Sequence, residues 1–134
     1  MKRTIFSVIL ALILVISLFA ALAACTQVTR ISIENPVEIK LEKAGGGVAV
    51  TLTEAKTVKR ITDVVCQIPL QAAENSGADW TYRITWLDEN GREITQVTLA
   101  GAQIRWEGQS YNLSVGVDLS VVTDVLETIP GLNK

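Results

Sequence analysis

Residues Trp80 to Trp86, WTYRITW, alternate large apolar and polar side chains without a break. Successive side chains of an extended strand point to opposite faces. The pattern therefore commits the chain to a sheet with one buried face and one wet face. A slip of one residue would bury Thr81, Arg83 and Thr85, so the register is strongly constrained. Trp80, Tyr82, Ile84 and Trp86 are expected to share the buried face. Asp88-Glu89-Asn90-Gly91 follows as a turn, with aspartate suited to its first position and glycine to a left-handed one. Val97 and Leu99 resume the alternation, while Ile94 is one step out, which predicts a bulge near Gly91. Gly101 ends that strand. Ile104 and Trp106 open another, Glu107-Gly108-Gln109 turns it, and Tyr111, Leu113 and Val115 return. The result is a four-strand antiparallel meander.

The same period runs upstream. Ile31 and Ile33 alternate with polar residues, and Asn35-Pro36 interrupts them. Val37, Ile39 and Leu41 face away from Glu38, Lys40 and Glu42. Lys43-Ala44-Gly45-Gly46-Gly47 then predicts a hairpin joining residues 37–42 to 48–52. The period changes at residue 53. Ala55, Val58, Ile61, Val65 and Ile68 line one side of a helix. Thr53 is the expected N-cap, Glu54 suits the first turn, and Pro69 stops the helix. Residues 71–79 read as a polar loop. Leu119, Val122, Val125, Leu126 and Ile129 form a last amphipathic stripe, capped by Asp118 or Ser120 and ended by Pro130-Gly131. This order predicts an α+β fold: a mostly antiparallel sheet, made of N-terminal strands and a C-terminal four-strand meander, with two helices packed on one face.

The start of the chain obeys different rules. Lys2 and Arg3 precede an uncharged run from Ile5 to Ala24. A basic start, an apolar run and small residues at its end are the layout of a secretory signal peptide. The run closes on Leu22-Ala23-Ala24-Cys25 and turns polar at once with Thr26 and Gln27. Leu-Ala-Ala-Cys resembles the lipobox of bacterial lipoproteins. That resemblance implies cleavage between Ala24 and Cys25 and attachment of a diacylglycerol, with fatty acyl chains such as palmitate, to the Cys25 sulfur. It divides the chain into residues 1–24 as the removed signal, 25–30 as a short lipidated tether, and 31–130 as one α+β domain. It also implies a cell-membrane location on the extracytoplasmic face, with the lipid bilayer as first partner. A single acyl chain anchors only marginally, at about 0.8 kcal/mol per buried methylene, whereas two or three hold firmly.

Composition narrows the chemistry further. From Cys25 onward, ten basic and fourteen acidic residues leave a net charge of −4. This mildly acidic balance, with no basic run, argues against a nucleic-acid partner. The chain has no histidine, so Ser-His-Asp and Cys-His catalysis are excluded, along with the commonest metal ligand. With Cys25 acylated, Cys66 has no partner for an intramolecular disulfide. Its apolar neighbours in TDVVCQI predict an inert core thiol. Asp88, Glu89, Asn90 and Glu93 carry oxygen ligands, but glycine falls at the fourth position of the loop and not at the sixth that a calcium loop requires. A turn explains these residues better. No metal, no cofactor and no catalytic residue is assigned.

The aromatic residues beyond the signal are Trp80, Trp86, Trp106, Tyr82 and Tyr111. They fit a half-buried sheet, and any left exposed would form a stacking platform for a peptide, sugar or partner. They are the candidate ligand-binding residues. Asp63, Asp79, Asp118 and Asp124 are candidates for a carboxylate pair. Beyond the lipobox, residues 30–129, with YRITWLDENGREI followed by GQSYNL, resemble the small lipoprotein domains common in Gram-positive bacteria. That resemblance implies no activity and transfers no functional residue. The expected function is a lipid-anchored, non-enzymatic envelope lipoprotein that binds a protein or peptide at the outer face of the membrane. The alternatives are a small carbohydrate-binding protein or hydrolase using paired carboxylates, and an accessory subunit of a membrane complex.

Overall fold

The computed structural model describes residues 7–9, 28–46, 49–114 and 116–132. Ala24 and Cys25, the expected cleavage and lipidation positions, lie outside the described residues. So do residues 47–48 of the hairpin turn and Val115. Among the described residues, no helix is long and apolar enough to cross a membrane.

The elements run β1 (Glu38–Lys43), β2 (Ala49–Leu52), α1 (Ala55–Gln67), β3 (Leu70–Ala73), β4 (Trp80–Leu87), β5 (Glu93–Ala100), β6 (Gln103–Trp106), β7 (Gln109–Leu113) and α2 (Ser120–Glu127). The strands form one sheet in the order β2-β1-β4-β5-β6-β7-β3, and every neighbouring pair is antiparallel. The fold is α+β, with a hairpin, a four-strand meander and both helices contributing to one core.

Alternation decides which face is buried. Ile39 and Leu41 of β1, Tyr82, Ile84 and Trp86 of β4, Val97 and Leu99 of β5, and Ile104 of β6 are all buried. Val58, Ile61 and Val65 of α1 and Val122 and Leu126 of α2 close over them. The centre of this contact is Trp86, fully buried. Its Nε1–H donates to Thr62 Oγ1 at 2.9 Å, and the Thr62 hydroxyl donates to the Val58 carbonyl at 2.6 Å. One chain of hydrogen bonds thus ties the indole of β4 to the first turns of α1. It satisfies the one polar atom that burying a tryptophan takes out of water.

Helix α1 carries the chain from β2, at one edge of the sheet, to β3, at the other. Its end follows from Pro69, which holds Ile68 in an extended conformation at ψ 121°. Its start differs from the sequence expectation. Glu54 occupies the N-cap position and makes no side-chain cap bond, so Thr53 does not cap the helix. For α2, Leu119 takes the N-cap position and no side-chain cap bond forms, so neither Asp118 nor Ser120 caps it; the Asp118 carboxylate accepts instead from the backbone N–H and the hydroxyl of Ser120. The Ser120 hydroxyl, and then its N–H, hold the Asp118 carboxyl below the usual carboxylate range. That stabilisation is present above the ordinary carboxylate pKa and is lost as pH falls through the lowered one.

Three further expectations change. Leu70–Ala73 is a strand, β3, and not part of the loop; it pairs with β7 from Leu70↔Leu113 to Ala73↔Ser110. Residues 30–37 contain no strand. Thr29 alone bridges Leu70, Ile31 is buried, and Ile33 packs against the core from beside α1. Trp80 leaves the buried face, because the β4–β5 register shifts between Trp80 and Tyr82. Its ring lies under the Arg83 guanidinium, 4.4 Å from centroid to Cζ. The second shift, between Trp86 and Leu87, is the bulge expected near Gly91. In that turn the Asp88 carboxylate accepts from the N–H groups of Asn90 and Arg92, and Gly91 takes φ +75°.

The loop from Glu74 to Asp79 returns the chain from β3 to β4 across the outer face. Gln103 donates to the Glu74 carbonyl and accepts from the Ser76 N–H. Arg105 donates to Asn75 Oδ1 and to the Ala78 carbonyl at 2.7 Å. The loop therefore covers the β6 part of the face that the helices leave bare.

Thr62→Val would strand the buried indole N–H of Trp86. It should lower unfolding free energy by about 1–3 kcal/mol in urea titrations, while Thr62→Ser, which keeps the acceptor, should cost much less.

Candidate functional site

The aromatic residues expected to form one platform are divided between two faces. Tyr82 and Trp86 are core residues. Trp106 and Tyr111 are half-buried on the helix side, with ring centroids 6.3 Å apart and planes tilted by 42°, and the Trp106 Nε1–H donates to Thr95 Oγ1. Trp80 lies on the opposite face beside Arg83, whose guanidinium also reaches Glu42 at 3.1 Å. Pairing explains the division: direct partners share a face, and Trp106 pairs with buried Val97. No single aromatic surface results.

The four aspartates are similarly dispersed. Asp63, on α1, pairs with Lys59 at 2.7 Å in an exposed i,i+4 contact. Asp118 is engaged by Ser120 at the start of α2, Asp124 lies on α2, and Asp79 ends the loop over the outer face. Among the described residues no group of three or more histidine, cysteine, aspartate or glutamate side chains is placed to hold a metal ion.

The feature that sequence reasoning missed is a groove of about 430 Å³ beside the first turns of α1. Residues 33–37 form one wall and α1 the other. Ile33, Pro36, Val37 and Val58 give it an apolar floor, and Lys59 and Asp63 stand at its rim. Val37 is half exposed in this wall. The groove exists because residues 30–37 do not join the sheet. They run along the flank of α1, from the Thr29–Leu70 bridge to Val37, whose N–H donates to the Leu87 carbonyl at 3.0 Å. Asn35, at φ +50°, turns this segment. A second groove, of about 410 Å³, separates α1 from α2 and β2 on the other flank; Arg60, Ile61 and Val125 line it. The sequence carried one signal for the first groove: Asn35-Pro36 interrupts an alternating run and so detaches it from the sheet.

Cys66 is half-buried, less enclosed than the sequence implied. Burial pushes its thiol pKa up, a hydrogen bond with the Ile33 backbone pulls it down, and the nearby Asp63 charge pushes it up further. The thiol therefore stays protonated at neutral pH and is a poor nucleophile. Burial, and then the Glu127 charge, likewise raise the pKa of Tyr82.

Compared with protein-family models, with curated proteins and with solved structures, the chain matches none. The functional reading therefore rests on the groove and on the amino-terminal sequence.

Asp63→Asn removes the like charge near Cys66. Alkylation of Cys66 by iodoacetamide at fixed pH, followed by peptide mass spectrometry, should speed up. An unchanged rate would mean that the carboxylate does not act on the thiol.

Proposed function

We propose that this chain is a lipid-anchored, non-enzymatic module that holds a protein or peptide segment in the groove between residues 33–37 and α1, at the outer face of a membrane. The observation that carries this reading is the groove's form. It is open, apolar at its floor and charged at its rim. Val37, half exposed, offers an accessible apolar contact in it. The amino-terminal layout supports the anchor: a basic start, an uncharged run, and the Leu-Ala-Ala-Cys resemblance to a lipobox.

The charge pattern suits such a role. Lys59 and Asp63 satisfy each other in the free protein. An exposed pair of this kind contributes little to stability, so either member can turn to a ligand at small cost. The floor residues contribute the apolar burial that binding requires.

Photo-crosslinking in native envelopes tests the site. Benzoylphenylalanine in place of Val37 should yield one discrete adduct, and the same probe in place of Gln96 on the opposite face should not. Lys59→Ala should weaken recovery of that adduct by only about two- to fivefold, the effect of losing one exposed rim charge. No adduct from position 37, or equal adducts from both positions, would contradict the reading.

A further inference from the structure

The folded part of the chain is tied down very close to the proposed lipid. Thr29 and Leu70 exchange two backbone hydrogen bonds, each 2.8 Å, at the start of β3. Only Thr26, Gln27 and Val28 stand between Thr29 and Cys25. Four Cα steps reach at most about 14 Å when fully extended. The sheet is much longer than that: the eight residues of β5 alone span about 26 Å at ~3.3 Å each. Acyl chains on Cys25 would lie in hydrocarbon, with its backbone among the headgroups. Thr29 must then stay near that level, whereas the opposite end of the sheet is free to stand away from it.

The residues around Thr29 identify this end. The pairings Leu70↔Leu113 and Gln103↔Asn112 place the start of β3, the end of β7 and the Gly101–Ala102 turn together there. The Ser114 N–H donates to the Pro69 carbonyl, and turns closed by Val117 N–H to the Ser114 carbonyl and Val121 N–H to the Asp118 carbonyl keep the first turn of α2 near this end. Two exposed valines accompany it: Val28, 43 % exposed, beside the bridge, and Val121, 44 % exposed, in the first turn of α2. The groove is elsewhere. Its helix wall runs from Ala55 to Asp63, whereas the Gln67 end leads through Pro69 to Leu70. Ala55, at the outer limit of that wall, lies twelve residues from Gln67, about 18 Å.

We infer that the end of the sheet formed by the start of β3, the end of β7 and the Gly101–Ala102 turn is a membrane-apposed surface. Its partner is the headgroup layer of the bilayer, into which Val28 and Val121 face. The groove opens away from the membrane, toward material arriving from outside. This inference rests on the proposed acylation of Cys25 and adds an orientation to it.

Site-specific quenching tests the orientation. The full chain, purified from membranes, would carry a bimane fluorophore on Ala102→Cys or on Asn90→Cys, each with Cys66→Ser. Both positions are exposed, at opposite ends of β5. The protein would be placed in phosphatidylcholine–phosphatidylglycerol vesicles containing a headgroup nitroxide lipid. Protein that floats with the vesicles should show several-fold stronger quenching at position 102 than at position 90. Flotation with equal quenching, or with stronger quenching at 90, would overturn the orientation while leaving the anchor intact. Failure to float would overturn the anchor, and the orientation with it.

Discussion

The burial of Trp86 under α1 organises the rest of the molecule. An indole at the middle of the sheet needs a cover and a partner for its N–H. Thr62 supplies the partner, and so fixes where α1 lies across the strands. Lying across the buried face, α1 connects one edge of the sheet to the other, and β3 pairs with β7 instead of with β2. The chain must then come back to β4, and the face the helices leave bare is the open route. Gln103 and Arg105 hold the returning loop on that face. The sheet is thus enclosed by α1, α2 and residues 29–37 on one side and is partly strapped on the other.

Much of this was legible in the sequence, because the two relevant periods are so different. Residues 80–86 could be only a one-sided strand, and Val58, Ile61 and Val65 could be only a helix stripe. The β4–β7 meander, the β1–β2 hairpin and both helices follow from those patterns and from the glycines between them. What was not legible depends on partners distant in the chain. Strand β3 is four residues long at an edge, with Gln71 and Ala72 exposed, so it carries no alternation to read. Ile31 and Ile33 alternate like strand residues, but they fill the flank of α1. Trp80 changed faces because a bulge reversed its parity, and no local residue announces that bulge.

The candidate site illustrates the same limit. The aromatic residues stood out by type, yet type alone cannot separate a core tryptophan from an exposed one. Trp86 and Trp80, six residues apart on one strand, ended in opposite environments. The groove joins residues 33–37 to residues 55–63, and each set taken alone reads as ordinary structure. Only the detachment of the first set from the sheet creates the space between them. The Thr29–Leu70 bridge fixes that segment at one end and the Val37–Leu87 bond fixes it at the other. The feature that forms the groove is thus the feature that brings the amino-terminal end of the domain to β3.

The proposed role joins these two consequences: a domain fastened at β3 and open at the far end of α1 serves as a short-tethered receptor for an extended segment. That account depends on the chemistry at residue 25. The most direct test is the mass of the amino-terminal peptide of protein extracted from native membranes. The account expects a peptide that begins at Cys25 and carries a diacylglycerol on Sγ. A peptide that begins at Met1, with the Cys25 thiol free, would contradict it.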